Sequence, residues 1–169
     1  MEIGTLFGIG LAAIYEYCIS RFDSVHLTAI DPLDGYYGTD VRDILTDESI
    51  SEQTFHANLA IAGVPEDGCT LIKALSTEAS AIEAAVKLPH DVLIIDGDHS
   101  YEGVKADFVN YLASVKSGGY IIFDDYGAPD WPGVTQFVDE SAFDHPNLAF
   151  VGASYRSAVF QVVKQSSPN

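Results

Sequence analysis

Apolar residues in this chain come in short unbroken runs, separated by stretches in which they recur at helical spacing. Val92–Ile95 is an aliphatic run closed by Asp96, and Tyr120–Phe123 repeats the design before Asp124 and Asp125. Runs without polar alternation suit strands covered on both faces of a parallel sheet. Between them, Val104, Phe108, Tyr111, Leu112 and Val115 fall on one helical face, with Glu102, Lys105, Asp107 and Lys116 elsewhere on the wheel. Gly118-Gly119 reads as the turn into the second strand. The pattern predicts a βαβ unit whose strands end on the same sheet edge, the edge at which open α/β sheets bind ligands.

The same alternation extends along the chain. Met1–Ile3 reads as a first strand and looks cut short, which implies that helices normally preceding it are missing. A Gly-rich loop follows, with Gly4, Gly8 and Gly10 spaced G-x-x-x-G-x-G, and it opens a helix over Leu11–Ile19. His26–Ile30 is a second strand ending in Asp31-Pro32, and the loop LDGYYGTD after it is a turn or a substrate-facing segment. Ser49–Ala62 reads as a helix with Ser51 at its N-cap and Gly63 just past its end. Thr70–Leu75 is a third strand, and Ser76-Thr77-Glu78 opens a helix over Ala79–Lys87. After Asp125, YGAPDWPGVTQ is a turn-rich loop at the same edge, Val134–Phe143 a short helix, and Leu148–Val151 with Ala158–Val163 an antiparallel hairpin.

Composition narrows the function classes. The 169 residues are 47% hydrophobic, enough for a single domain, 1–169, with a sizeable core. Twenty-five acidic against eight basic residues give a formal net charge of −17, which disfavours nucleic acid and anionic membrane surfaces as partners. Cys18 and Cys69 have no metal-ligand spacing and read as buried, reduced thiols of a cytoplasmic protein. No run is apolar for the ~20 residues a membrane span needs.

Candidate chemistry gathers at the strand ends. Asp96, Asp98, His99, Asp124 and Asp125 should converge if the two strands are neighbours. Several carboxylates in one cleft repel each other and call for a cation, a shared proton or water. Hard oxygen donors without cysteine suit Mg²⁺ or a similar divalent ion better than zinc. Acids at strand ends also cap helices or simply face solvent. The Gly-rich loop lets backbone approach a ligand, and an acid closing the second strand can accept both hydroxyl protons of a ribose.

Five βα units and a terminal hairpin, with G-x-x-x-G-x-G in the first loop and IDGDHSYEGVKADF…SGGYIIFDDY later, resemble a class I S-adenosylmethionine-dependent methyltransferase. Within that superfamily the D-G-D-H-S-Y-E-G-V run is similar to a small-molecule O-methyltransferase group that includes macrolide-sugar methyltransferases and cephalosporin-hydroxylase-like proteins. The resemblance implies a doubly wound, Rossmann-like, mostly parallel sheet with a C-terminal antiparallel hairpin, and S-adenosyl-L-methionine as cofactor. It implies Mg²⁺ on Asp96, Asp124 and Asp125, and His99 as general base. Glu2, Gly4 and Gly8 would line the methionine part of the cofactor, Asp31 would hold the ribose, Ser76 would lie near the adenine, and Asp96 counts on the cofactor side as well. A sugar or other small hydroxylated metabolite would be the acceptor, and a homo-oligomer would cover the apolar surface left by missing helices. Two other classes stand beside this one: a nicotinamide-dependent reductase, disfavoured by the glycine order, and a degraded methyltransferase-fold module inside a larger polypeptide.

Overall fold

The computed structural model describes residues 1–35, 42 and 47–163, so most of the loop 33–40 lies outside the described residues. In chain order the elements are β1 (Glu2–Ile3), α1 (Ile9–Ile19), β2 (Leu27–Ile30), α2 (Glu52–Ile61), β3 (Cys69–Ile72), α3 (Ala79–Ala85), β4 (His90–Ile95), α4 (Tyr101–Tyr111), β5 (Val115–Phe123), α5 (Pro132–Phe137), β6 (Leu148–Ser154) and β7 (Ser157–Val162). One seven-stranded sheet runs β3-β2-β1-β4-β5-β7-β6. The first five strands are parallel, and β7 pairs antiparallel with both β5 and β6. This is the doubly wound sheet with a terminal hairpin that the sequence predicts.

Burial follows the apolar runs. Ile3, Ile30, Leu93, Ile95, Ile121 and Phe123 form the centre of one core with Val104, Phe108 and Tyr111 of α4. Leu11, Tyr15, Leu27, Ala29, Phe55 and Leu59 form a second core under α1 and α2. Among the described residues no helix is long and apolar enough to cross a membrane.

Several boundaries differ from expectation, each for a local reason. α4 ends at Tyr111, and a single 3₁₀ turn, Leu112–Ser114, leads straight into β5. Val115 is therefore a strand residue paired with His90, although it keeps the helical spacing. Gly118-Gly119 is no turn between elements but lies inside β5, where the register with β4 shifts between His90 and Val92. α2 begins at Glu52 because the Ser51 side chain accepts the Thr54 N–H at 3.2 Å, while Ser49 bridges to Arg42. β3 stops at Ile72, α3 at Ala85, and the helix after the tryptophan loop passes from α5 into one π turn, Val138–Ala142. Both cysteines are half-buried rather than buried, and both are free. Burial still pushes the Cys69 thiol up to about 11, which keeps it protonated and unreactive.

Candidate active site

Strand order reverses between β1 and β4, so their carboxyl ends form the switch point of the sheet. The ends are laced together: the Asp96 N–H donates to the Ile3 carbonyl at 3.0 Å, the Gly4 N–H to Ile30 at 3.0 Å, and the Asp124 N–H to Ile95 at 3.1 Å. Gly4, at φ +80°, is obligatory here, because a Cβ would lie 2.1 Å from the Asp96 carbonyl oxygen. The first glycine thus sets how closely the loop after β1 approaches the first acid of the cluster.

Three of the predicted groups meet. A carboxylate oxygen of Asp96, one of Asp125 and an imidazole nitrogen of His99 lie within 4.8 Å of one another. His99 Nε2 is 3.2 Å from Asp96 Oδ1 and 3.3 Å from Asp125 Oδ2. Burial raises the Asp96 carboxyl above its ordinary range, opposed by the His99 hydrogen bond and reinforced by the Asp124 and Asp125 charges. Burial alone would lower His99, but the hydrogen bond to Asp96 and the charges of Asp96, Asp125 and Asp98 outweigh it and hold the imidazole above its ordinary value. Two carboxylates and an imidazole converging on one point are a donor set that fits a hard divalent cation, with Asp96 and Asp125 as its oxygen ligands.

The other two acids face elsewhere. Asp124 Oδ1 accepts the Ser157 hydroxyl at 2.6 Å, which ties the end of β5 to the start of β7. Asp98 is exposed and accepts the Ser100 N–H at 2.9 Å, while Ser100 caps α4 by accepting the Gly103 N–H at 3.1 Å. The helix cap is therefore Ser100, and the His99 ring points back at the acids. Tyr101 packs edge-on against Phe137, and Glu102 forms an exposed pair with Lys105 at 3.7 Å.

On the cofactor side, Glu2 is buried and accepts the Thr5 hydroxyl at 2.7 Å. Burial pushes its carboxyl up to about 7, against the lowering effect of that hydrogen bond. Asp31 is buried as well, and its two oxygens take the N–H groups of Thr5 and Leu6 at 2.8 Å and of Leu33 at 2.7 Å. The acid that closes β2 thus holds the Gly-rich loop, with one acceptor position to spare. Gly8, at φ +72°, is packed against the Phe55 ring, so its lack of a side chain serves the second core. Ser76 is half-buried after β3, and its carbonyl accepts the Tyr111 hydroxyl at 2.6 Å.

Two residues that sequence reasoning did not assign complete the site. Trp131 stacks on His99 with ring centroids 4.5 Å apart and 23° between planes. The approach depends on Gly133, where a Cβ would lie 2.5 Å from the Tyr101 nitrogen and 2.7 Å from the His99 carbonyl. Arg156, in the turn between β6 and β7, places Nε 3.2 Å from Asp125 Oδ1. Asp125 itself adopts φ +58°, a left-handed conformation that Asp tolerates better than most residues. The tryptophan had a signal, as the single one in a turn-rich loop beside the acids; Arg156, thirty-one positions from Asp125, had none.

A seven-stranded, doubly wound sheet with β7 antiparallel between β5 and β6, carrying an acid and histidine cluster at its switch edge, is the architecture of methyltransferases. A model of a methyltransferase-domain family matches residues 1–126, and the chain belongs to that family. The resemblance read from the sequence therefore holds, and the nicotinamide-reductase alternative falls away. Among solved structures, a TDP-rhamnose 3′-O-methyltransferase of calicheamicin biosynthesis aligns with TM-score 0.65 and 16% identity over 95% of this chain and 70% of its own. The MycE methyltransferase of the mycinamycin pathway, solved with Mg, S-adenosylhomocysteine (SAH) and mycinamycin VI, aligns with TM-score 0.55 and 14% identity over 95% and 50%. A curated relative, the uncharacterised protein R132 of Acanthamoeba polyphaga mimivirus, is 36% identical over 87 residues, 50% of this chain and 37% of that protein. The chain thus spans well under half of that relative's length.

Proposed function

We propose that this domain transfers a methyl group from S-adenosyl-L-methionine to a hydroxyl oxygen of a sugar or other small hydroxylated metabolite, assisted by a divalent cation. The observation that carries the reading is the convergence of Asp96, His99 and Asp125 at the switch edge of a methyltransferase-family sheet. The complex of MycE with Mg and SAH supports the cation and the cofactor by analogy.

The roles follow from chemistry. A protonated hydroxyl is a poor nucleophile, and a divalent cation, when bound, lowers the pKa of a hydroxyl it touches. His99 is the general base. In the geometry observed, Nε2 faces two carboxylates, an arrangement that stabilises the proton-loaded imidazolium reached after a proton leaves the acceptor. Asp96 and Asp125 hold the cation, and Asp124, engaged by Ser157, orients the end of β5 and is the weaker candidate ligand. Trp131 fixes the plane of the imidazole and excludes water from one face of it. On the cofactor side, Glu2 is assigned the ammonium group, Gly4 the close approach of the loop, and Asp31 the ribose through its remaining acceptor position. Gly8 and Ser76 shape the methionine and adenine ends.

Calorimetric titration of SAH into the purified chain, with and without Mg²⁺, tests this directly. Saturable binding that strengthens with Mg²⁺, and loses that enhancement in Asp96→Asn, is the expected result. Absence of binding in both conditions would instead favour a fold retained as a non-catalytic module.

A further inference from the structure

We propose that Arg156 anchors the acceptor, and that the acceptor carries an oxyanion, a carboxylate or a phosphate, close to the hydroxyl that is methylated. That the anchored molecule is a methyl acceptor rests on the methyl-transfer reading above; the oxyanion site does not.

Arg156 stands directly across Asp125 from the proposed base. One oxygen of Asp125 faces His99 Nε2 and the other faces Arg156 Nε, so a single carboxylate separates guanidinium from imidazole. A guanidinium offers five N–H donors in a rigid planar fork. Asp125 takes the Nε side, and the two terminal nitrogens meet no acceptor among the described residues. Those nitrogens form the edge that grips a carboxylate or phosphate with two parallel hydrogen bonds. The side chain is 43% exposed where Asp125 is 18% exposed, so the guanidinium is open to solvent while paired with a more buried carboxylate.

Charge points the same way. With twenty-five acidic and eight basic residues, the chain repels anions over most of its surface. The other ion-paired lysines and arginines, Arg42, Lys73, Lys105 and Lys116, meet Asp47, Glu52, Glu102 and Asp91, none of them in the acid cluster. Among the described residues Arg156 is the one lysine or arginine paired with a carboxylate of that cluster. Were neutralising Asp125 its whole role, a point charge would serve and the outer fork would have no use.

The test has two arms on the full chain. In the first, methyl transfer is measured with matched acceptors, protocatechuate against its methyl ester and glucose phosphate against methyl glucoside. The ratio of kcat/KM for the anionic over the neutral member is expected to exceed roughly tenfold for one pair, which identifies carboxylate or phosphate. Arg156→Gln should collapse that ratio through KM, and Arg156→Lys should restore part of it. In the second arm, the fluorescence of Trp131, the chain's single tryptophan, is followed while benzoate or pyrophosphate is added. Saturable quenching in the wild type and its loss in Arg156→Gln are expected. An unchanged ratio in Arg156→Gln, or fluorescence that neither anion perturbs in the wild type, overturns the anchor. Anion binding without turnover of any acceptor would leave the anchor standing and refute methyl transfer; turnover without anion preference would do the reverse.

Discussion

Glu2→Gln is the perturbation whose size the structure fixes best. Glu2, the first residue of β1, is 6% exposed, with the Thr5 hydroxyl on one carboxyl oxygen and Gly10 packed against the other. Its folded pKa is raised from 4.5 to about 7, chiefly by burial. Between those two values the folded carboxyl holds a proton that the unfolded one has released. Stability from this group is therefore present at low pH and lost as pH rises towards 7. At ~1.4 kcal/mol per pH unit, the loss is on the order of 3 kcal/mol, a large share of the ~5–15 kcal/mol of a typical domain. Glutamine keeps the shape and the acceptor for Thr5 but has no proton to release. Urea denaturation of both proteins at about pH 5 and about pH 8 should show Glu2→Gln gaining on the wild type at the higher pH by about 2–3 kcal/mol. A stability difference that is the same at both values would refute the buried-carboxyl reasoning. The ammonium of SAH should offset the same cost, so its affinity for the wild type should rise with pH over this window and that of Glu2→Gln should not.

Gly4→Ala should cost more than about 3 kcal/mol by denaturation, since it adds a clash with the Asp96 carbonyl to a left-handed backbone. Gly63→Ala, at φ +78° with nothing within 4 Å, should cost only about 1 kcal/mol, and equal losses would show that backbone conformation alone matters. Ser51→Ala removes the cap of α2 and should cost about 1 kcal/mol in the same assay. Mg²⁺ should raise the melting temperature of the wild type, and Asp125→Asn should abolish that shift. His99→Asn should lower kcat by about 10²–10⁴. Because His99 is held above its ordinary value, wild-type kcat without added metal should rise with pH as the imidazole loses its proton, and the variant should lose that rise.

How much of this was legible depended on the range of the interaction. The βαβ unit was readable because Val92–Ile95 and Tyr120–Phe123 are unbroken apolar runs, although burial alternates along them: Leu93, Ile95, Ile121 and Phe123 are buried while Tyr120 is exposed. Asp96, His99 and Asp125 were readable because two parallel neighbours must deliver their ends to one edge. Gly118-Gly119 misled because a glycine pair marks both turns and close approaches. A Cβ on Gly119 would lie 2.8 Å from the Asp91 carbonyl, so the pair lets β5 press against β4 without turning the chain. Val115 misled because one 3₁₀ turn keeps a residue on the helical stripe while the backbone has already become strand. The engagement of Asp31 by Thr5 and Leu6 and of Asp125 by Arg156 joins segments far apart in the chain, and no local pattern encodes such pairs.

The position of β7 has a consequence for how the chain assembles. β6 touches the sheet only through β7, which is made after it and must enter between β6 and β5. Until Val162 has left the ribosome, β6 has no partner and the outer edge of β5 is bare. The turn that supplies Arg156 and Ser157 then closes onto Asp125 and Asp124 in the same event. Completion of the acidic centre is thus coupled to the docking of β7, so a chain cut before β7 would hold the cofactor half of the edge without the finished catalytic half.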